Sequence, residues 1–252
     1  MKSRTARARP RSAHLYVAVT PALATVACAF AMGCGSTAQT PDFGQVTTSG
    51  TVLAALYPES ALVDVALDDG GGLRCSGAVI APRAVLTAGH CVRAGATFTV
   101  VAPFARGQRA TSHRAHTYDW TTGDAFDPSH HDIGLVILES DIVLADYPLL
   151  ARAAMDDGAR VVSVLRDGDL YASSTYAVKN GAAYGFPTSY VGPVAITHGD
   201  SGGPVFSAAV GPHVIVAVNS SFGQGLETLA RVDLLFDWID GVVRTERAIA
   251  GT

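Results

Sequence analysis

The chain has 252 residues, 48% hydrophobic and 16% charged, enough for one large globular unit or two small ones sharing an interface. Its formal net charge is −4, and the five basic residues of segment 1–33, which holds no acid, leave 13 basic against 22 acidic residues beyond it. A body near −9 is a poor partner for nucleic acid, and the four cysteines show no CxxC or Cys/His spacing for a structural metal.

Residues 1–14 (MKSRTARARPRSAH) carry the five basic side chains, and a 19-residue apolar run follows at 15–33. That layout predicts an export signal, although a run of this length with Pro21 inside also suits a single membrane anchor. Either reading takes the body out of the cytoplasm, as a secreted or cell-envelope protein. The residues Ala31-Met32-Gly33-Cys34 resemble the bacterial lipoprotein cleavage box, with Ala31 where Leu or Val is preferred, and mark Cys34 as a candidate lipidation site. We therefore expect a signal over 1–34. Segment 35–50 is small, polar and without periodicity, and reads as a flexible tether before a globular part that starts near Thr51.

Short β-rich runs then recur with turn residues between them: ALVDVAL (61–67), SGAVI (76–80), AVLT (84–87), TFTVVA (97–102), IGLVIL (133–138), VVSVLR (161–166), PVFSAAV (204–210) and HVIVAVN (213–219). Many short strands without an intervening helical pattern imply a sandwich or barrel. The stretch 103–131 is polar and rich in His, Asp and Thr, and is expected to form surface loops with at most one strand. Near the end, Leu234, Leu235, Trp238, Ile239, Val242 and Val243 recur at helical spacing behind Asp233, which predicts one amphipathic helix capped by that aspartate. Cys75 and Cys91 lie 16 positions apart in the exported body and read as one disulfide. In the chain-entropy model such a loop stabilises the fold by about 3 kcal/mol.

The octapeptide HGDSGGPV (198–205) sets Ser201 between an acid and two glycines. A serine hydroxyl attacks only when a base takes its proton, and that base needs an acid to fix its tautomer. Upstream, VLTAGHC (85–91) offers His90 at the end of a β-rich run, and HHDIGLVIL (130–138) offers Asp132 just before an apolar strand. Taken singly, His90 and Asp132 read more readily as structural residues; with Ser201 the three are weighed together.

These three blocks, in this order, resemble the chymotrypsin/trypsin-like serine peptidase family. Two weaker blocks extend the likeness: SSFG (220–223) is similar to the strand beside the substrate backbone, and LARVDLLFDWI (229–239) to the last strand and C-terminal helix. The resemblance implies an all-β fold of two antiparallel Greek-key β-barrels with a C-terminal α-helix, the first barrel over 51–150 and the second, with the helix, over 151–252. It implies Ser201 as nucleophile, His90 as general base and then acid, Asp132 as the orienting acid, and the N–H groups of Gly199 and Ser201 as an oxyanion hole. Ser221 would support Asp132, and Ser221, Phe222 and Gly223 would pair with an extended polypeptide substrate as an added strand. No cofactor is implied, protein inhibitors are expected partners, and activity should fall as His90 becomes protonated.

Two other chemistries are disfavoured. Gly199-Asp-Ser201-Gly-Gly203 also fits the G-x-S-x-G elbow of α/β-hydrolases, but that fold needs alternating strands and helices and the order Ser, acid, His, which the chain lacks. The tandem His130-His131-Asp132 suggests a metal, yet neighbours in an extended segment point to opposite faces, so no metal site is expected.

The resemblance departs at two places. Family zymogens are cut before an Ile-Val-Gly-Gly-like start whose new ammonium pairs with the acid preceding the nucleophile, here Asp200. This chain has Gly50-Thr51-Val52-Leu53 instead and no Lys or Arg between Arg11 and Arg74, so either another protease makes the terminus or an internal group pairs with Asp200. Where trypsin-like members place a specificity acid, the chain has Ala195; Glu227 stands either at the rear of the substrate pocket or in a solvated loop. A catalytically silent secreted binding protein on the same scaffold is the alternative to a serine endopeptidase.

Overall fold

The computed structural model describes residues 52–121, 127–193, 196–223 and 225–250, and all of them belong to one compact unit. The export signal, the tether, Cys34 and Ala195 lie outside the described residues.

Two mostly antiparallel sheets build the molecule, each curled into a half-barrel; the one parallel pair among the described residues joins Leu149–Leu150 to Val214–Gly223. The first orders its strands Gln108–Ser112, Thr97–Ala102, Ser60–Ala66, Gly72–Ala81, Ala84–Thr87, Gly134–Ile137 and Arg114–Thr117. Period-two patterning explains the faces: in Ser60–Ala66, Val63 and Val65 are buried while Asp64 and Ala66 face out. Strand Gly134–Ile137 is buried at every position, because one face meets the half-barrel core and the other meets the second half of the molecule. The outer strands approach each other where Ser112 Oγ donates to the Ile137 carbonyl at 2.5 Å and Glu139 N–H donates to Thr111 O at 3.0 Å.

The second sheet runs Val52–Leu53, Asp169–Ala172, Arg160–Asp167, Pro204–Ser207, Val214–Gly223, Leu226–Arg231, Ser189–Pro193 and Lys179–Asn180. Tyr176–Ala177 pairs with Arg160–Asp167, so segment 176–180 spans from that strand to the opposite edge and curls the sheet. The start of the described chain therefore belongs to this sheet: Val52 pairs with Ala172.

Between the halves lies a shared apolar layer that includes Leu86, Leu135, Phe206, Ile215, Val218 and Ile239. A half-buried pair crosses between the halves as well, with His213 Nδ1 2.7 Å from Oε1 of the buried Glu59 and Tyr57 stacked on Phe206 at 4.6 Å. Burial pushes the Glu59 carboxyl up, against the lowering effect of its own backbone N–H and of His213.

Three expectations are corrected. The described residues of region 103–131 hold two strands, Gln108–Ser112 and Arg114–Thr117, because Thr, His and Arg sit on edge positions where one face stays wet. The strands between 169 and 193 were not anticipated, being two to five residues long. The helix Phe236–Ala250 is preceded by a 3-10 turn over Asp233–Leu235, and Asp233 makes no capping bond. Its carboxylate is taken by Arg231, at 2.6 and 3.0 Å. Among the described residues no helix is long and apolar enough to cross a membrane.

Candidate active site

The strand Ala84–Thr87 ends in a 3-10 turn, Gly89–Cys91, that carries His90, and the Cys75–Cys91 disulfide ties that turn to the adjacent strand Gly72–Ala81. Asp132 precedes strand Gly134–Ile137, the direct neighbour of Ala84–Thr87 in the sheet. Neighbouring strand ends thus bring the two side chains together across 42 residues of sequence. Asp132 accepts twice from His90: the backbone N–H reaches Oδ1 at 2.7 Å and ring Nδ1 reaches Oδ2 at 2.7 Å. With Nδ1 committed to the carboxylate, Nε2 is the ring atom left to exchange protons in the cleft.

A third donor reaches the same carboxylate. It is Ser220, whose hydroxyl donates to Asp132 Oδ2 at 2.6 Å, and not Ser221. The register of the hairpin Val214–Gly223 and Leu226–Arg231 shifts between Asn219 and Ser221, so Ser220 turns toward Asp132 while Ser221 Oγ pairs with Thr228 Oγ1 at 2.9 Å. Burial raises the Asp132 carboxyl, but the bonds from His90 and Ser220 and the charge of the His90 ring outweigh it, leaving the group below its ordinary value.

Ser201 lies in a turn just before strand Pro204–Ser207 of the second half. That turn is pinned to the first half: Ser76 N–H donates to Ser201 O at 2.8 Å, and Ser76 Oγ donates to Gly199 O at 2.9 Å. Gly202 makes the approach feasible. Its φ is +81°, and a Cβ there would stand 2.2 Å from Thr87 Oγ1 and 2.4 Å from Ser76 O. Gly199, at φ +105°, turns the chain so that its N–H and that of Ser201 donate to no group among the described residues. Ser201 and His90 line the same two adjoining cavities, one of about 1020 Å³ and one of about 420 Å³.

Ser221 and Phe222 line the smaller cavity, with Trp120, whose ring centroid is 6.0 Å from that of His90. Trp120 gave no signal in the sequence beyond its size. Gly223 follows on the same strand, opposite Leu226. Glu227 is no loop residue: it sits in strand Leu226–Arg231, fully buried, opposite Phe222 and Gly192. Burial raises the Tyr176 hydroxyl well above its ordinary value, helped by electrostatic repulsion from Glu227 and a hydrogen bond to it, and opposed by the hydrogen bond with Ser163.

Asp200 is 2% exposed and has no ion-pair partner among the described residues. One carboxylate oxygen accepts the Arg166 N–H, and the other accepts the N–H and hydroxyl of Thr197. Burial pushes its carboxyl up, and these bonds only partly offset it. The Arg166 guanidinium is spent elsewhere, on Cys75 O at 2.6 Å and Asp64 Oδ1 at 2.7 Å.

The tandem near Asp132 disperses among separate partners. His131 Nδ1 meets Asp119 at 2.7 Å, Asp132 turns to His90, and His130 Nε2 stands 4.0 Å from Asp127. Where Cys75, His90 and Cys91 cluster within 4.8 Å, the two sulfurs are bonded to each other in the disulfide.

Comparison with known proteins adds the following. A family model described as Trypsin matches residues 57–157. No curated protein matches the sequence. Among solved structures, the scabies mite inactivated protease paralogue S-I1 is similar at 18% identity and a TM-score of 0.60, covering 78% of this chain and 98% of its own. HL collagenase is similar at 20% and 0.61, over 77% and 96%. Human heparin binding protein is similar at 21% and 0.57, over 79% and 96%. At these identities the likeness is one of fold.

Proposed function

The chain belongs to the chymotrypsin/trypsin-like serine protease family, and on that premise we propose that it is an exported serine endopeptidase cleaving extended polypeptides through an acyl-enzyme on Ser201. The observation that carries this reading is the buried carboxylate of Asp132, held by two bonds from His90 and one from Ser220, residues that line one cavity together with Ser201.

In the proposed sequence Ser201 Oγ attacks the scissile carbonyl carbon as its proton passes to His90 Nε2. The oxyanion is received by the N–H groups of Gly199 and Ser201, whose donors are not engaged within the described protein. Collapse breaks the C–N bond, and His90 returns the proton to the leaving amine. Water repeats the path in reverse roles and frees the acid. Asp132 keeps Nδ1 protonated and offsets the imidazolium charge that forms. Glu227, fully buried and paired with Phe222 across the hairpin, is the residue proposed to favour a basic P1 side chain. The N-terminal basic and apolar segments support export, with Cys34 as the candidate lipid-bearing terminus.

The test is hydrolysis of unfolded casein and of a peptide library by purified protein, with Ser201→Ala beside it. Cleavage is expected to fall by about a millionfold in the variant. Equal cleavage by both would exclude Ser201 as the nucleophile. A binding protein on the same scaffold is the second reading, favoured by the neighbour described as inactivated and by the absence of a cationic partner on Asp200 among the described residues. It predicts no hydrolysis by either protein.

A further inference from the structure

The two cavities share His90, Thr197, His198 and Ser201 in their linings, and beyond these they differ in charge. Apart from those shared residues, the smaller is lined by Trp120, Ile196, Ser220, Ser221 and Phe222, which carry no ionisable group. The larger is lined by three arginines, Arg74, Arg93 and Arg166. If the strand holding Ser221 and Phe222 receives the acyl half of the substrate, as proposed above, the larger cavity receives the leaving-group half.

Its charge can be balanced residue by residue. Arg166 is buried and paired with Asp64. Asp200 is buried beneath backbone donors, so it presents little charge to the cavity. Asp64 also stands opposite Arg74 across the strand pair, but its Oδ1 is bonded to Arg166. Asp167 is the one exposed carboxylate in the lining. Against it stand exposed Arg74 and half-buried Arg93, neither in an ion pair among the described residues. Arg93 makes a single bond, 3.3 Å to the Val92 carbonyl beside it in sequence. Two guanidinium forks are thus open in the cleft of a chain whose body is otherwise strongly acidic.

The geometry points to a leaving-group subsite that selects acidic residues just after the scissile bond, with Arg74 and Arg93 as the specificity-determining pair. A guanidinium presents paired N–H donors that match a carboxylate, and at this degree of exposure each pair is worth a severalfold preference. The inference rests on the serine peptidase reading, and acyl transfer separates the two.

Protein is supplied with p-nitrophenyl acetate, whose acetyl group passes to Ser201 with release of nitrophenol. Dipeptide amides are added as acceptors: Asp-Ala-amide, Ala-Asp-amide, Ala-Ala-amide and Lys-Ala-amide. The acceptor amine attacks the acetyl ester, an amide bond forms, the ester bond breaks, and Ser201 regains its proton through His90. Water attacking instead gives acetate, so the ratio of acetyl dipeptide to acetate reports the leaving-group subsite alone. Acidic acceptors are expected to raise that ratio about threefold to tenfold over the neutral one, with Lys-Ala-amide below it. Arg74→Gln together with Arg93→Gln should remove the difference, and so should high salt. Nitrophenol release with equal ratios for all acceptors would overturn this inference while leaving the peptidase reading intact. No nitrophenol release above that of Ser201→Ala would overturn both.

Discussion

At the scale of single residues, the account rests on how many donors one carboxylate collects. Asp132 takes three hydrogen bonds in a buried setting, and two of them come from the residue it must orient. Asp132→Asn keeps the shape but offers an amide N–H where Nδ1–H now donates, so the ring is forced toward the wrong tautomer. A loss of about 10⁴ in kcat at neutral pH is expected, with KM little changed. Ser220→Ala removes one donor of three and leaves the tautomer in place; a loss of about tenfold in kcat is expected, of the size of one hydrogen bond to a charged group. Steady-state kinetics on a peptide ester checks both. A Ser220→Ala loss as large as that of Asp132→Asn would contradict the division of labour.

At the scale of elements, function depends on strand ends from two half-barrels meeting over one apolar layer. Leu86 is fully buried in that layer, one residue before the strand end that leads to His90. Leu86→Ala should cost about 2–5 kcal/mol in chemical denaturation, as a large cavity in a packed core does; a loss under 1 kcal/mol would mean the halves are not packed as described. The local structure of the three blocks was legible in the sequence because each is short-range: a glycine turn around Ser201, a strand end at His90, a strand start at Asp132. The disulfide was legible for the same reason. What could not be read were features set by pairing partners. The bulge at Asn219–Ser221 decides which of two adjacent serines meets Asp132, and nothing in "SSFG" distinguishes them. Strands of two to five residues between 169 and 193 exist because neighbours hold them, and their own patterning is too short to announce them.

At the scale of the whole molecule, two buried aspartates should pull stability in opposite directions with pH. The Asp132 carboxyl lies below its ordinary value when folded, so its contribution is fully present above the unfolded value near 3.9 and is lost as pH falls through the folded one. The Asp200 carboxyl lies above its ordinary value, so the native state holds its proton more tightly and stability falls as pH rises from the unfolded value through the folded one. Denaturant melts of wild type, Asp132→Asn and Asp200→Asn across acid pH check this. The wild-type advantage over Asp132→Asn should shrink on acidification, and that over Asp200→Asn should grow; slopes of the same sign would refute the assignment.

The central claim is that Ser201 is an activated nucleophile, and intact-mass spectrometry of the purified protein before and after a fluorophosphonate tests it most directly. The account predicts one adduct on wild type, none on Ser201→Ala, and a sharply slowed adduct on Asp132→Asn. A folded wild-type protein that takes up no label, or one labelled equally in the Ser201→Ala variant, would contradict it.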